Sequence, residues 1–242
     1  FGNLKWKQLY NRKNIGIFIL SLSGLLNLIY IKSDLIMLSL FGFKLEAGYY
    51  ASAYTIINLI FLFRGTLLSV LIPTLIKAYN KDIVLYKERL SLYLKIGAFL
   101  GVLITGTTFF FKKLIIIILF GSQYLYSAKV LDILLIMNLV VFLNMGISAS
   151  LIVIGKDKEF TMATLIAAVI NIAGNLVFIP YFNMYAVAFT TLFSEIIIVI
   201  YSVIILNKST SINYVKLFVN NSYHMLVLGV GCFIVIYLIQ KV

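Results

Sequence analysis

Long, uninterrupted apolar runs separated by short polar connections dominate the sequence. An α-helix needs about 20 such residues to cross a bilayer, whereas the strands of a membrane barrel alternate over about 10 residues. The pattern predicts seven spanning helices, at 14–40, 49–78, 91–111, 128–154, 159–179, 185–206 and 223–239. A further run at 114–120 is too short to span, so it either continues the third helix or lies at the interface. We therefore predict an all-α, polytopic membrane fold.

The two prolines and the polar connections divide this pattern. Pro73 is expected to kink or end the second helix, and Pro180 to end the fifth. The longest polar connection, 207–221, is too short for a soluble domain. We expect a bundle of six helices over 1–206, followed by a polar loop and one additional helix over 207–242.

Composition and charge agree with a membrane protein. Hydrophobic residues make up 62% of the chain and charged residues 12%, whereas soluble domains are about half apolar and a quarter charged. If the N-terminus is cytoplasmic, that side holds twelve basic residues and the other side five. This asymmetry supports a cytoplasmic N-terminus, because cytoplasmic loops are rich in Lys and Arg. The net charge of +12 does not indicate a nucleic-acid partner, because the basic residues are not interleaved with aromatic ones.

Charged residues inside the predicted spans are the candidates for function, because each costs roughly 2.5 to 3.5 kcal/mol at a helix centre. Arg64 lies near the middle of the second span, Glu195 near the middle of the sixth, and Asp34 within the first. Arg64 either meets an anionic group of a substrate, since its planar fork suits phosphate, or pairs with Asp34 or Glu195. Glu195 is either a proton or coupling-ion site, or part of an interhelical polar stripe with Thr191 and Ser202.

Asn171 and Asn175 share one face of the fifth span, with Gly174 between them. This arrangement indicates either hydrogen bonds and close packing between helices or contact with a ligand. The sequence contains no nucleophile–base–orienter set, no metal-ligand cluster and no glycine-rich phosphate loop, and Cys232 is its single cysteine. We therefore expect neither an enzyme nor a cofactor.

Five segments, in this order, resemble the second half of polysaccharide flippases of the multidrug/oligosaccharidyl-lipid/polysaccharide exporter superfamily. They are SDLIMLSLFGFKLEAGYYASAY (33–54), VLIPTLIK (70–77), LFGSQYLYSAKVLDIL (119–134), NIAGNLVFIP (171–180) and FTTLFSE (189–195). The chain departs from the family pattern at Asn183 and Ala186, where relatives often carry glycine.

The resemblance implies a protein of two six-helix bundles around a cavity that opens alternately to each side of the bacterial cytoplasmic membrane. This chain, which begins at Phe1 without an initiator methionine, would be the second bundle plus one helix, partnered by an N-terminal half and by membrane lipids. The implied cargo is an undecaprenyl-pyrophosphate-linked oligosaccharide, used to build O-antigen or capsule. Arg64, Asp34, Asn171 and Asn175 are then the expected substrate contacts, and Glu195 the ion-coupling candidate.

Three other functions remain open from the sequence. A related exporter, either a lipid II flippase or a cation-coupled drug efflux protein, would share the fold. A membrane glycosyltransferase or polymerase would need a large outward loop with paired carboxylates or arginines, and the sequence contains none. A membrane assembly factor would not need Arg64 and Glu195 at the depth of the hydrocarbon core.

Overall fold

A computed structural model of the chain describes residues 32–223 and residue 227, and this part is helical apart from its turns. The helices are α1 (32–40), α2 (Lys44–Lys81), α3 (Ile83–Phe120), α4 (Ser127–Leu143), α5 (Met145–Val153), α6 (Asp157–Ser209) and α7 (214–223), with a 3-10 turn at Ser122–Tyr124. The all-α prediction is confirmed for these residues. Most of the predicted first helix and nearly all of the last lie outside them.

The long helices have the length and composition of membrane spans. Helices α2, α3 and α6 are long and apolar enough to cross a bilayer, and the bent pair α4–α5 is a fourth candidate. A helix of 38 residues is about 57 Å long, nearly twice the thickness of the hydrocarbon core. Large apolar side chains such as Leu62 and Ile118, both 71% exposed, cover the outside of the bundle. Hydrocarbon accepts such a surface, whereas water does not.

The succession of helices gives the bundle two ends, each with its own hydrophobic core. At the Asp82 end, the core joins parts of α2, α3, α5 and the segment that follows α6. At the other end, named here for Gly121, the core joins parts of α1, α2, α4 and the middle of α6. The turns at Gly42 and Gly121 require a positive φ, of 89° and 91°, which glycine adopts without steric strain.

Helix α6 is a hairpin of two arms, 157–182 and 184–209, that reverses at Asn183 (φ 43°, ψ −127°). The arms lie side by side, since Asn171 in the first donates a hydrogen bond to Thr190 in the second (3.4 Å). The predicted fifth and sixth helices are therefore confirmed, but the prediction that Pro180 ends the fifth is wrong. A proline removes one backbone hydrogen bond near the helix end, whereas the chain reverses where a residue adopts positive φ.

Three other local predictions can now be decided. Pro73 lies inside α2, which continues to Lys81, so the alternative that it ends the helix is wrong. The run 114–120 continues α3, which was one of the two alternatives. The polar connection 207–221 is largely helical, and Ile212 and Tyr214 are buried in the core of the Asp82 end. The segment was predicted to be a loop because it is polar, but these two buried side chains hold it against the bundle.

Replacing Asn183 with glycine should stabilise the chain by about 1 kcal/mol. A side chain at this positive φ is strained, and the Oδ1 atom of Asn183 is buried without a hydrogen-bond partner. Asn183→Ala should be less stable than the glycine variant, because it keeps a Cβ at positive φ. Thermal unfolding in detergent measures both. Equal melting temperatures for the two variants would contradict the strain at this position.

Candidate functional site in the bundle core

Asp34 is the centre of a buried polar network that joins α1, α2 and both arms of α6. Its side chain is 1% exposed. Its Oδ2 atom accepts hydrogen bonds from Tyr50 Oη (2.8 Å) and Thr191 Oγ1 (3.2 Å), and its Oδ1 atom accepts one from Asn175 Nδ2 (2.8 Å). Residues far apart in the sequence thus converge on a single carboxylate.

The α6 hairpin supplies the rest of the network. Asn175 Nδ2 also donates to Asn171 Oδ1 (3.2 Å), and Asn171 Nδ2 lies within hydrogen-bond distance of Thr190 and Thr191. Thr190 donates to Asn175 Oδ1. All of these side chains are at most 9% exposed. The interhelical role of Asn171 and Asn175 is therefore confirmed, and their role as substrate contacts stays a prediction.

Within the described residues, Asp34 has no cationic partner. The ion pairs there are Lys112–Asp132 and Lys156–Glu159, and neither involves Asp34. Thr191 has one hydroxyl hydrogen, and its closer acceptor is the carbonyl of Val187 at 2.8 Å. A proton on Asp34 Oδ2, donated to Thr191 Oγ1, would satisfy both contacts. The network is therefore suited to hold a proton.

Arg64 lies outside this network, near the middle of α2. Its Nε atom is buried without a hydrogen-bond partner, while the residue as a whole is only partly buried. Its electrostatic partner is Glu195 on the second arm of α6, although no ion pair within 4.0 Å joins the two. The predicted alternative of an Arg64–Asp34 ion pair is wrong, because α1 presents Asp34 to the hydroxyls and amides instead.

Tyr54 links the Asp34 network to the Arg64–Glu195 pair. Its ring stacks on that of Tyr50, with 5.7 Å between the centroids, and its hydroxyl interacts electrostatically with both Asp34 and Glu195. The structure thus brings together three of the predicted substrate residues and places the fourth, Arg64, with the predicted coupling residue. Tyr50, Tyr54 and Thr190 were missed from the sequence, where aromatic and hydroxyl residues are too common to signal a site.

Helix α2 also carries polar residues on its outer face. Thr55, Asn58, Thr66 and Ser69 are exposed and recur at helical spacing through the middle of this apolar helix. Arg64 is nine residues from Thr55, which is about 900° of helix, so it lies on the opposite side. The hydroxyl of Thr55 donates to the backbone carbonyl of Ala51 (2.8 Å), which lowers the cost of an apolar environment. The side chain of Asn58 is exposed and makes no such hydrogen bond among the described residues, so this face needs water or a polar partner.

An apolar groove of about 890 Å³ lies between the two arms of α6. Phe178, Phe182, Phe189 and Phe193 line it, and Tyr185 and Thr190 are its lining residues with hydroxyl groups. Because Thr190 also belongs to the Asp34 network, the groove and the network share a wall. Among the described residues, no group of three or more His, Cys, Asp or Glu residues could hold a metal ion.

Comparison with known proteins gives no assignment: no family model, no curated protein and no solved structure matches the chain.

Proposed function

We propose that this chain is part of a membrane exporter that carries an anionic, lipid-linked oligosaccharide across the bacterial cytoplasmic membrane. The observation that carries the proposal is Arg64, a cation in the middle of an apolar helix that no direct ion pair satisfies. Such residues in membrane helices usually face a cavity or a substrate pathway. Arg is also the side chain whose geometry best matches the oxygens of a phosphate.

Two apolar features suit the lipid part of such a cargo. The outside of the bundle is apolar, and the groove between the arms of α6 is lined almost entirely by apolar side chains. A long hydrocarbon chain can lie against such surfaces without desolvating polar groups. The five sequence segments that resemble polysaccharide flippases support the same class of cargo.

The Asp34 network supplies a candidate for coupling transport to a proton gradient. A buried carboxylate without a cation is costly unless it binds a proton or another cation. Since α1, α2 and both arms of α6 meet at Asp34, a change in its protonation would alter contacts among all of them. Asp34 therefore joins Glu195 as a proposed coupling residue.

The polar outer face of α2 supports a second bundle as partner. Lipid would leave the amide of Asn58 without hydrogen bonds, whereas a facing bundle or a water-filled cavity between two bundles would satisfy it. This arrangement agrees with the N-terminal half that the resemblance implies.

Replacing Arg64 with alanine should reduce export of surface polysaccharide at least about tenfold, because the phosphate would lose a charge-assisted contact worth about 1.5 to 3 kcal/mol. The measurement compares cells whose only copy of the full protein carries the substitution, with the protein quantified in the membrane fraction. Arg89→Ala, which changes an exposed arginine at the Asp82 end, is the matched control and should export normally.

Normal export by the Arg64→Ala variant would overturn the proposal. A cation-coupled exporter of cationic drugs is the main competing function, and it predicts the opposite result. Removing a repulsive cation from the pathway would then leave transport intact or increase it.

A further inference from the structure

The charges of Arg64 and Glu195 attract each other across a gap. They lie on α2 and on the second arm of α6, and they interact electrostatically although no N–O distance between them is within 4.0 Å. Both residues are only partly buried, so their charged groups border accessible space. Arg64 Nε is buried and has no acceptor. The guanidinium thus has a nearby counter-charge but no ligand.

We propose that Glu195 is an internal counter-anion that competes with the phosphate of the cargo for Arg64, so that cargo binding is accompanied by uptake of a proton on Glu195. This inference rests on the proposed function. A phosphate that binds Arg64 must approach the carboxylate of Glu195, and two like charges repel at short range in a medium of low dielectric constant. A proton on Glu195 removes that repulsion and leaves Arg64 available to the phosphate.

The other titratable groups nearby have different tasks. From α2, Tyr54 interacts electrostatically with Glu195, and from α1, Asp34 interacts with Tyr54. The carboxylate of Asp34 accepts three hydrogen bonds. Among the described residues, none donates a hydrogen bond to the carboxylate of Glu195. Glu195 is therefore the carboxylate placed to respond to an anion at Arg64, and Asp34 is the one held within the bundle.

The test measures binding of inorganic pyrophosphate to the purified full chain in lipid nanodiscs by isothermal titration calorimetry. Glu195→Gln should bind pyrophosphate about tenfold more tightly at neutral pH, because a repulsive charge is removed. Titration in two buffers with different ionisation enthalpies gives the proton uptake. The variant should take up about one proton fewer per pyrophosphate than the unmodified chain. Protons that pyrophosphate itself gains or loses are the same in both titrations, so they drop out of this difference.

Control variants separate the causes. Glu159→Gln removes a carboxylate that pairs with Lys156 (3.1 Å), and it should change neither affinity nor proton uptake. Glu195→Asp keeps the charge and should retain the proton uptake of the unmodified chain, which provides a second measurement if the glutamine variant does not fold. Arg64→Gln should abolish binding.

Each outcome has a defined consequence. Unchanged affinity and unchanged proton uptake in Glu195→Gln, or loss of proton uptake in Glu195→Asp, would overturn the role of Glu195 alone. Undiminished binding by Arg64→Gln would overturn the anion site, and with it the proposed function. Absence of pyrophosphate binding by the unmodified chain would do the same.

Discussion

Replacing Asp34 with alanine should destabilise the chain by about 3 kcal/mol, whereas replacing it with asparagine should cost about 1 kcal/mol or less. Alanine leaves Tyr50 without its acceptor and removes one hydrogen bond each from Asn175 and Thr191, and an unsatisfied buried donor costs about 1–3 kcal/mol. Asparagine resembles a protonated aspartate, because its amide can donate to Thr191 while its oxygen accepts from Asn175, and only the hydrogen bond from Tyr50 is lost.

Denaturant-induced unfolding in mixed micelles measures this difference. Glu88→Gln, which removes an exposed carboxylate on α3, is the control and should leave stability nearly unchanged. If the asparagine variant were as unstable as the alanine variant, the native chain would require the negative charge of Asp34, and a proton would not fit the network.

The same asparagine variant tests the coupling role in transport. It should fold and insert normally, yet its export should no longer respond to the proton gradient, because an amide cannot exchange the proton. Export that still follows the gradient in the asparagine variant would exclude Asp34 from the coupling step.

The second large effect is expected where α3 crosses α4. A Cβ atom on Gly97 would lie 2.7 Å from the backbone oxygen of Phe142, and a Cβ on Gly101 would lie 2.9 Å from Phe142 Cβ. Because backbone atoms cannot move aside cheaply, Gly97→Ala should destabilise by about 1–3 kcal/mol. The same measurement of unfolding should give a larger loss for the Gly97→Ala, Gly101→Ala double variant.

Gly65→Ala is the matched control for this prediction. Gly65 also lies inside a helix, but no neighbouring atom would come within 4 Å of its added Cβ. Alanine should therefore leave stability unchanged or raise it by about 0.5–1 kcal/mol, since glycine is the poorer helix former. A destabilisation of equal size at Gly65 and Gly97 would show that the close crossing of α3 and α4 is not the cause.

The hydrophobic pattern predicted where the helices lie, but it did not predict the exact residues at which the chain turns. A run of about 20 apolar residues predicts a helix directly, which is why the positions of α2, α4–α5 and the arms of α6 were predicted from sequence. The connection 180–184 between the fifth and sixth predicted helices contains the reversal, but its exact position at Asn183 was not predicted, because it depends on one backbone conformation that packing of the two arms imposes. The same holds for α7, which is polar enough to resemble a loop until Tyr214 is seen buried against Tyr86 (3.2 Å between hydroxyls).

The candidate site divides in the same way. The sequence alone marked Asp34, Arg64, Asn171, Asn175 and Glu195, because polar and charged residues are rare and costly in apolar helices. Their grouping was decided by tertiary structure, since a sequence separation of 141 residues between Asp34 and Asn175 carries no information about their distance in the fold. Only the packing of α1 against the α6 hairpin placed Asp34 among amides and hydroxyls, and only the crossing of α2 and α6 placed Arg64 beside Glu195. Composition therefore selected the residues, and helix packing determined which of them interact.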